Sequence, residues 1–396
     1  MNKLTNSILS VAAILAVAPL HGEEVSRAEF DALSGKVRTL EQADVGTGAG
    51  NKWYDAIEIA LGATGVVQGS SGAGDLIGDG DKTDGSASID IEITAHATES
   101  GAFFVHLESG SGDGLDGDIA TLSGFNDDAD DDSNLRLTEV WYEQAFGETA
   151  RLRLGKVDLS TDFDTNAVAN DETAQFLSCG FVNAPALEFP DDNGLGAMFW
   201  MSPTKLVDIG VGVADANADW DNVFEDPFAI AEVDFKPVFG ELQGNYRFYA
   251  WYNGKDHEDL SDGSTDAKNH GFGLSFDQQL NDIATVFVRT NIQRGEVSQV
   301  ASSWSAGLGL SGSVFGRDGD SFGLAYGMAL IGDDWKDFDA VNGIESSDEG
   351  HLELYYNLAI NEHLSLSPDI QWVTNPNGDR ACDDVFVFGL RAQVSF

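Results

Sequence analysis

Four acidic side chains, Asp128, Asp130, Asp132 and Glu139, stand at the first, third, fifth and twelfth positions of a calcium-binding loop. The sixth position lacks the glycine such a loop needs for its turn, and Glu139 falls inside a strand-like alternation. The run therefore reads as solvated charge, with loosely held Ca²⁺ or Mg²⁺ on acidic outer loops as the only metal it suggests. No resident cofactor is called for. Gly307, Gly309 and Gly312 spell G-x-G-x-x-G, but the stretch alternates like a strand and no helix follows, so it does not cradle a phosphate. His96, His106, His257, His270, His351 and His363 are scattered without metal-ligand spacing. No nucleophile, base and orienter stand together, and the chain reads as no enzyme.

What remains is a large set of polar side chains at every second position, and their spacing says which elements must carry them. The segments 89–96, 242–252, 284–293, 304–314 and 352–360 alternate apolar and polar residues, the period of a β-strand. In a soluble sandwich the apolar face would line a core. In a transmembrane barrel it faces lipid, and the polar face lines a wet lumen. About sixteen such segments follow Trp53. Long connections, near 68–85, 110–134, 160–193, 215–226, 253–269, 294–301, 332–350 and 374–384, alternate with tight turns near Glu99, Gly147, Pro203, Val238, Asn281, Arg317 and Asn361. That rhythm belongs to an up-and-down antiparallel barrel with long outer loops and short periplasmic turns, and not to a Greek-key sandwich. The final segment puts Phe386, Phe388, Leu390, Ala392, Val394 and Phe396 on one face. On a soluble protein this would be a long apolar edge, the kind that is usually blunted against aggregation.

Composition agrees. The 396 residues carry 67 acidic against 21 basic side chains, a formal net charge of -46. So acidic a chain makes a poor partner for nucleic acid, whose binding surface must be basic. Residues 1–22 have a basic start, a short apolar run from Ile8 to Ala18 and small residues after it, and they read as a signal peptide. Residues 23–50 hold a capping-box pattern at Ser26–Glu29, with Phe30, Leu33, Val37 and Leu40 at heptad-like spacing. This predicts a short periplasmic helix that plugs or skirts the barrel, or alternatively helps to form a homotrimer. Residues 51–396 are the expected barrel. No later apolar run is long enough for a membrane helix.

Several blocks resemble the carbohydrate-selective porin family of the OprB type. They are Glu139-Val140-Trp141-Tyr142, Leu152-Arg153-Leu154-Gly155-Lys156-Val157-Asp158 and Phe163-Asp164-Thr165-Asn166. Towards the C-terminus they include Glu353-Leu354-Tyr355-Tyr356-Asn357, the run Pro368 to Pro376 and Gly389-Leu390-Arg391. The resemblance implies a sixteen-strand barrel in the outer membrane of a Gram-negative bacterium, among lipid and lipopolysaccharide, that passes small solutes with sugars as the type substrate.

Strand phase then nominates the pore lining. With Leu152 and Leu154 outward, Arg151 and Arg153 point in. The same logic turns Arg247, Tyr249, Trp251, Arg289, Glu353, Asp369 and Arg391 inward, a mixed-charge and aromatic lumen suited to neutral polyols. The third long loop is expected to fold inward and bring Asp164, Asn166 and Glu172 to the constriction, opposite Arg151, Arg153 and Arg289. Cys179 and Cys382 fall in the third and last outer loops, and export to an oxidising compartment favours a disulfide between them. The function expected is passive diffusion of small hydrophilic solutes, sugars being those the resemblance implies, through a cation-favouring acidic mouth. A general cation-selective porin without sugar specificity, or a structural or adhesin barrel, is the alternative.

Overall fold

A computed structural model of the protein describes residues 56–74, 80–190, 192–222 and 224–396. The expected signal peptide and periplasmic helix, residues 1–22 and 23–50, lie outside the described residues. Sixteen long antiparallel strands follow: β1 (Ile57–Ser71), β2 (Thr83–Thr98), β3 (Gly101–Ser111), β4 (Arg136–Phe146), β5 (Ala150–Val157), β6 (Gly194–Thr204), β7 (Val207–Asp215) and β8 (Pro227–Phe235). The second half comprises β9 (Leu242–His257), β10 (Ala267–Gln279), β11 (Ala284–Gln293), β12 (Val300–Ser311), β13 (Ser321–Ile331), β14 (Glu349–Asn361), β15 (Leu364–Thr374) and β16 (Val385–Ser395). A two-residue strand, Val238–Phe239, adds only a short pairing to the start of β9 within a turn.

Each strand pairs with its sequence neighbours, and the ring closes where β1 meets β16, from Gly62 opposite Ser395 to Ser71 opposite Phe386. Phe396 extends that seam, its N–H donating to the Leu61 carbonyl at 2.9 Å and its own carbonyl accepting from Leu61 at 3.1 Å. Closure leaves no edge strand to blunt, which is how a sheet satisfies its backbone inside a bilayer.

Side chains follow the period of two. On β16, Phe386, Phe388, Leu390 and Phe396 are exposed on the outer wall, while Val387 and Arg391 between them are buried in the lumen. Val67, Ile89, Phe103, Leu154, Val211, Phe248, Phe272, Val288 and Ile370 continue the apolar outer band. This is the lipid-facing pattern of an outer-membrane barrel. The connections alternate as their composition suggested. The longest are L2 (112–135), L3 (158–193) and L7 (332–348), and all three lie at one end. The turns 99–100, 205–206 and 362–363 close the other end.

L2 and L3 do not project outward. They fold into the lumen, because each carries apolar residues that only the barrel interior can cover. From L3, Phe163, Phe176 and Phe181 are fully buried, each contributing about 1.5–3 kcal/mol of burial. Phe163 packs with Leu159, Leu187, Met198, Phe228, Ile230, Tyr249 and Trp251 against β6–β9. Phe176 and Phe181 pack with Phe287, Ala325 and Tyr355 against β11–β14. Gly212 on β7 makes the first seat possible, since a Cβ there would lie 2.8 Å from the Phe163 ring. L2 buries Leu115, Ile119 and Phe125 beside Ala73, Val373, Cys382, Val385 and Val387. A single helical turn, α1 (Cys179–Val182), lies within L3, and α2 (Asp333–Asn342) lies within L7.

Candidate pore and its constriction

L3 crosses the lumen along one wall, tied down at successive points. At its start Asp162 meets Arg151 and, at 2.7 Å, Arg153, with Glu143 of β4 bridging both guanidinium groups. Arg153 also lies over the Trp141 ring, 4.0 Å from its centroid. Asp164 then turns through the left-handed region (φ 56°) and forms a fully buried ion pair with Arg289 at 3.1 Å. Arg289 further donates to the carbonyls of Phe181 (2.7 Å), Asp164 (2.8 Å) and Ala169 (3.0 Å). Glu232 accepts from the Asp164 N–H, and Asn166 donates to the Ser275 hydroxyl. Arg391 holds the far end of the arm through the carbonyls of Glu172 and Gln175. Glu353 accepts from Leu177 N–H (2.6 Å) and Ser178 N–H (3.0 Å).

These contacts place the residues nominated by strand phase. Arg151, Arg153, Arg289, Glu353 and Arg391 are inward, and all are spent on L3. Asp369 is buried beside Gln371, whose amide donates to it at 2.9 Å. Arg247 is buried with Asp277 (2.8 Å), and Tyr249 and Trp251 lie under L3 in its apolar seat. Asp164 and Arg289 touch each other directly; they do not face each other across open space. Of the twelve residues, Glu172 and Asn166 line the open cavities of the lumen, and the Arg151 side chain, 37% exposed, also meets open water.

The expected disulfide is not formed: Cys179 and Cys382 are both free. The loops' inward fold separates their surroundings. Cys179 faces L2, its thiol hydrogen-bonded to the Asp127 carboxylate, while Cys382 is buried with Leu115, Ile119 and Phe125. Burial and the neighbouring Asp127 and Asp116 carboxylates push the Cys179 thiol up, and burial pushes Cys382 up to about 11, so neither is an activated thiol.

Because L3 fills the lumen on the β6–β14 side, the open path is eccentric. A cavity of about 650 Å³ runs along the inner faces of β1–β4 and β16, and one of about 410 Å³ adjoins it beneath L3. They share Asp127 of L2 and Asp158, Ser160, Thr161 and Glu172 of L3. The larger cavity is lined by nine carboxylates: Asp90, Glu92, Glu108, Asp127, Asp128, Glu139, Asp158, Glu172 and Asp192. Its two basic lining residues are paired, Arg136 with Asp130 and His106 with Asp90 at 3.0 Å. Burial, compounded by the neighbouring Asp127, raises Glu172 to about 8. Burial likewise raises Asp128 to about 7, against the bonds it accepts from Ser88, and moves Asp127 and Asp158 upward. Crowded carboxylates out of bulk water resist ionisation and welcome a positive charge.

The EF-hand-like acids do not converge on one point. Asp128 accepts from Ser88, Asp130 pairs with Arg136, Asp132 accepts from Asn134, and Glu139 accepts from Trp141 and Asp158 N–H. The sequence signal for the true lining was divided. Asp90, Glu92 and Glu139 sit at inward strand positions, but nothing in the acidic run 127–132 announced that its loop turns inward.

A family model described as carbohydrate-selective porin, OprB family, matches residues 78–396. Among curated relatives, the putative porin QuiX of Acinetobacter baylyi is 24% identical over 66% of this chain and 69% of its own length. Porin B of Pseudomonas aeruginosa is 20% identical over 66% of this chain and 68% of its own. Porin AaxA of Chlamydia abortus is 22% identical over 65% of this chain, which spans 57% of that protein. Among solved structures, a high-pH form of Pseudomonas putida OprB superposes with a TM-score of 0.74 at 18% identity, covering 92% of this chain and 97% of that one.

Proposed function

This chain belongs to the carbohydrate-selective porin, OprB family, whose members are outer-membrane channels, and on that premise we propose that its pore passes small hydrophilic solutes, sugars among them, while favouring cations. The observation that carries the cation preference is the eccentric cavity, where nine carboxylates face two basic groups that are already paired. A lumen of one sign with low-dielectric walls concentrates counter-ions, and the chain's net charge of -46 adds to that field. Neutral polyols are indifferent to the field, and can hydrogen-bond to the carboxylates and to Ser160, Thr161 and Asn193 along the wall.

A second reading, a cation-selective pore without sugar specificity, is favoured by the burial of Tyr249 and Trp251 beneath L3. Along the larger cavity Phe189 is a lining ring, while Phe396, which also borders it, carries its ring on the outer wall. Reconstitution separates the two readings. Planar-bilayer reversal potentials in a salt gradient should have the sign of cation selectivity, and liposomes should swell in hexoses. Cation selectivity with hexose-induced block supports a sugar pore, and cation selectivity without block supports the second reading. An anion-selective reversal potential would defeat both.

A further inference from the structure

Three successive lumen-facing positions of β14, Glu349, His351 and Glu353, each hold a different part of the constriction. Glu349 accepts from the Leu122 N–H (2.8 Å) and the Ser123 hydroxyl (2.5 Å) of L2, and from the Asn377 N–H (2.8 Å) of the last loop. Glu353 accepts from two N–H groups of L3, those of Leu177 and Ser178. His351 lies between them. Its Nδ1 is 2.8 Å from the Ser123 oxygen and 3.3 Å from that of Ser178, and its Nε2 is 3.1 Å from the Gln371 side-chain oxygen. All three side chains are buried.

The hydrogens around the imidazole can be counted. The Gln371 amide donates to the Phe125 carbonyl and to Asp369, so its oxygen must accept, and Nε2 carries a proton. The Ser178 hydroxyl donates to the Ser123 carbonyl at 2.9 Å. The single Ser123 hydroxyl hydrogen cannot serve both Glu349 and Nδ1. With an ionised Glu349 and a neutral ring, one of those two contacts would set lone pair against lone pair. Bare lone pairs at 2.5 or 2.8 Å repel, and buried polar atoms are rarely left so.

We infer that Glu349, His351 and Glu353 form a clasp that positions L2 and L3 together, and that its closed form holds one extra proton shared along Glu349–Ser123–His351. The inference rests on the channel reading. The proton resides either on Nδ1, with Ser123 donating to a carboxylate, or on Glu349, with Ser123 donating to Nδ1. Other groups face the ring from the packed elements. Asp369 and Gln371 come from β15, with Asp369 hydrogen-bonded to Glu353, and Arg391 from β16 lies near both acids. L2 and L3 contribute the Phe125 and Phe181 rings, edge-on at 6.3 and 5.4 Å. Removing the shared proton leaves one repelling contact in the chain and releases L2, to which L3 is bonded through Ser178 and Gly180 at the Ser123 carbonyl. These are positioning residues and do not touch solute.

Glu349→Gln supplies the missing hydrogen permanently. Its amide donates to the Ser123 oxygen, freeing Ser123 to donate to Nδ1, while its oxygen still accepts from Leu122 and Asn377. Ser123→Ala instead cuts the chain. Two readouts apply, each at about pH 6 and about pH 9. One is maleimide labelling of Cys179, which sits at the L2–L3 contact, in a Cys382→Ser background. The other is liposome swelling in uncharged mono- and disaccharides, which is blind to pore charge. One lost hydrogen bond shifts the balance toward the open form roughly three- to tenfold. At about pH 9 the wild type should therefore label faster than Glu349→Gln by that factor and admit larger sugars. Ser123→Ala should label fast at both values. Identical profiles for wild type and Glu349→Gln, or a Ser123→Ala variant as slow as wild type at about pH 6, would overturn the clasp. Failure of every variant to admit solute would sink the channel reading, while the labelling contrast would still decide the clasp.

Discussion

Arg289 ties three separate stretches of L3, at Asp164, Ala169 and Phe181, to one point on β11. Replacing it with Met leaves Asp164 buried and unpaired, a loss of about 3–5 kcal/mol to loop docking. The Arg289→Met channel should be larger and noisier in single-channel recordings, with a barrel that still resists denaturation in the usual way. A pH effect also belongs to single residues. The carboxyls of Glu172 and Asp128, raised by burial to about 8 and about 7, are neutral in acid and become charged as the pH rises through those values. The reversal potential should therefore become more cation-selective from about pH 5.5 to about pH 9, and the double variant Glu172→Gln, Asp128→Asn should flatten the change. Because both are raised above their ordinary values of 4.5 and 3.8, any stability they confer is fully present below those values and is lost progressively as the pH rises from there through about 7 for Asp128 and about 8 for Glu172. Strand phase made the inward direction of Arg289, Arg391 and Glu353 legible in the sequence. It could not say which inward side chains meet water and which meet a loop, since that depends on where Phe163, Phe176 and Phe181 of L3 find cover.

Among elements, the strands were easy to read and the loops were not. A strand in this environment must alternate, because lipid and lumen select opposite chemistry on its two faces, so β2, β9, β11 and β14 announced themselves. L3 declared itself by its length, but L2 did not: its acidic run resembled a solvated surface, and its three apolar anchors, Leu115, Ile119 and Phe125, are spread through glycine and aspartate. Two substitutions test the elements separately. Gly212→Val puts methyl groups where the Phe163 ring sits, 2.8 Å from the position of Cβ, and should dislodge L3. Pore size measured by exclusion of neutral polymers should increase while strand content by circular dichroism is unchanged. Phe388→Lys places a charge on the lipid face of β16, where Phe388 is 58% exposed. Near the bilayer midplane this should cost about 2–4 kcal/mol in guanidinium unfolding from lipid vesicles, without altering selectivity.

At the scale of the whole molecule, the net charge of -46 sets a field that salt can tune. The Debye length falls from about 30 Å at 0.01 M to about 3 Å at 1 M, so cation selectivity should be strong in dilute salt and weak in concentrated salt. The part that survives at about 1 M reports the carboxylates inside the constriction, too close to the path for screening to hide. The eccentric path has a consequence for how the ring tolerates change. Lumen-facing positions on β2, β3 and β4 are plumbing, and exchanges there should retune what passes while leaving the protein sturdy. Their counterparts on β7 through β13 are masonry behind L3, where the same exchanges should alter yield and heat resistance first. A saturation scan of inward positions, scored for both permeation and abundance, should therefore divide the circumference into two arcs with little overlap, and an engineer seeking a new cargo would have only one of them to work with.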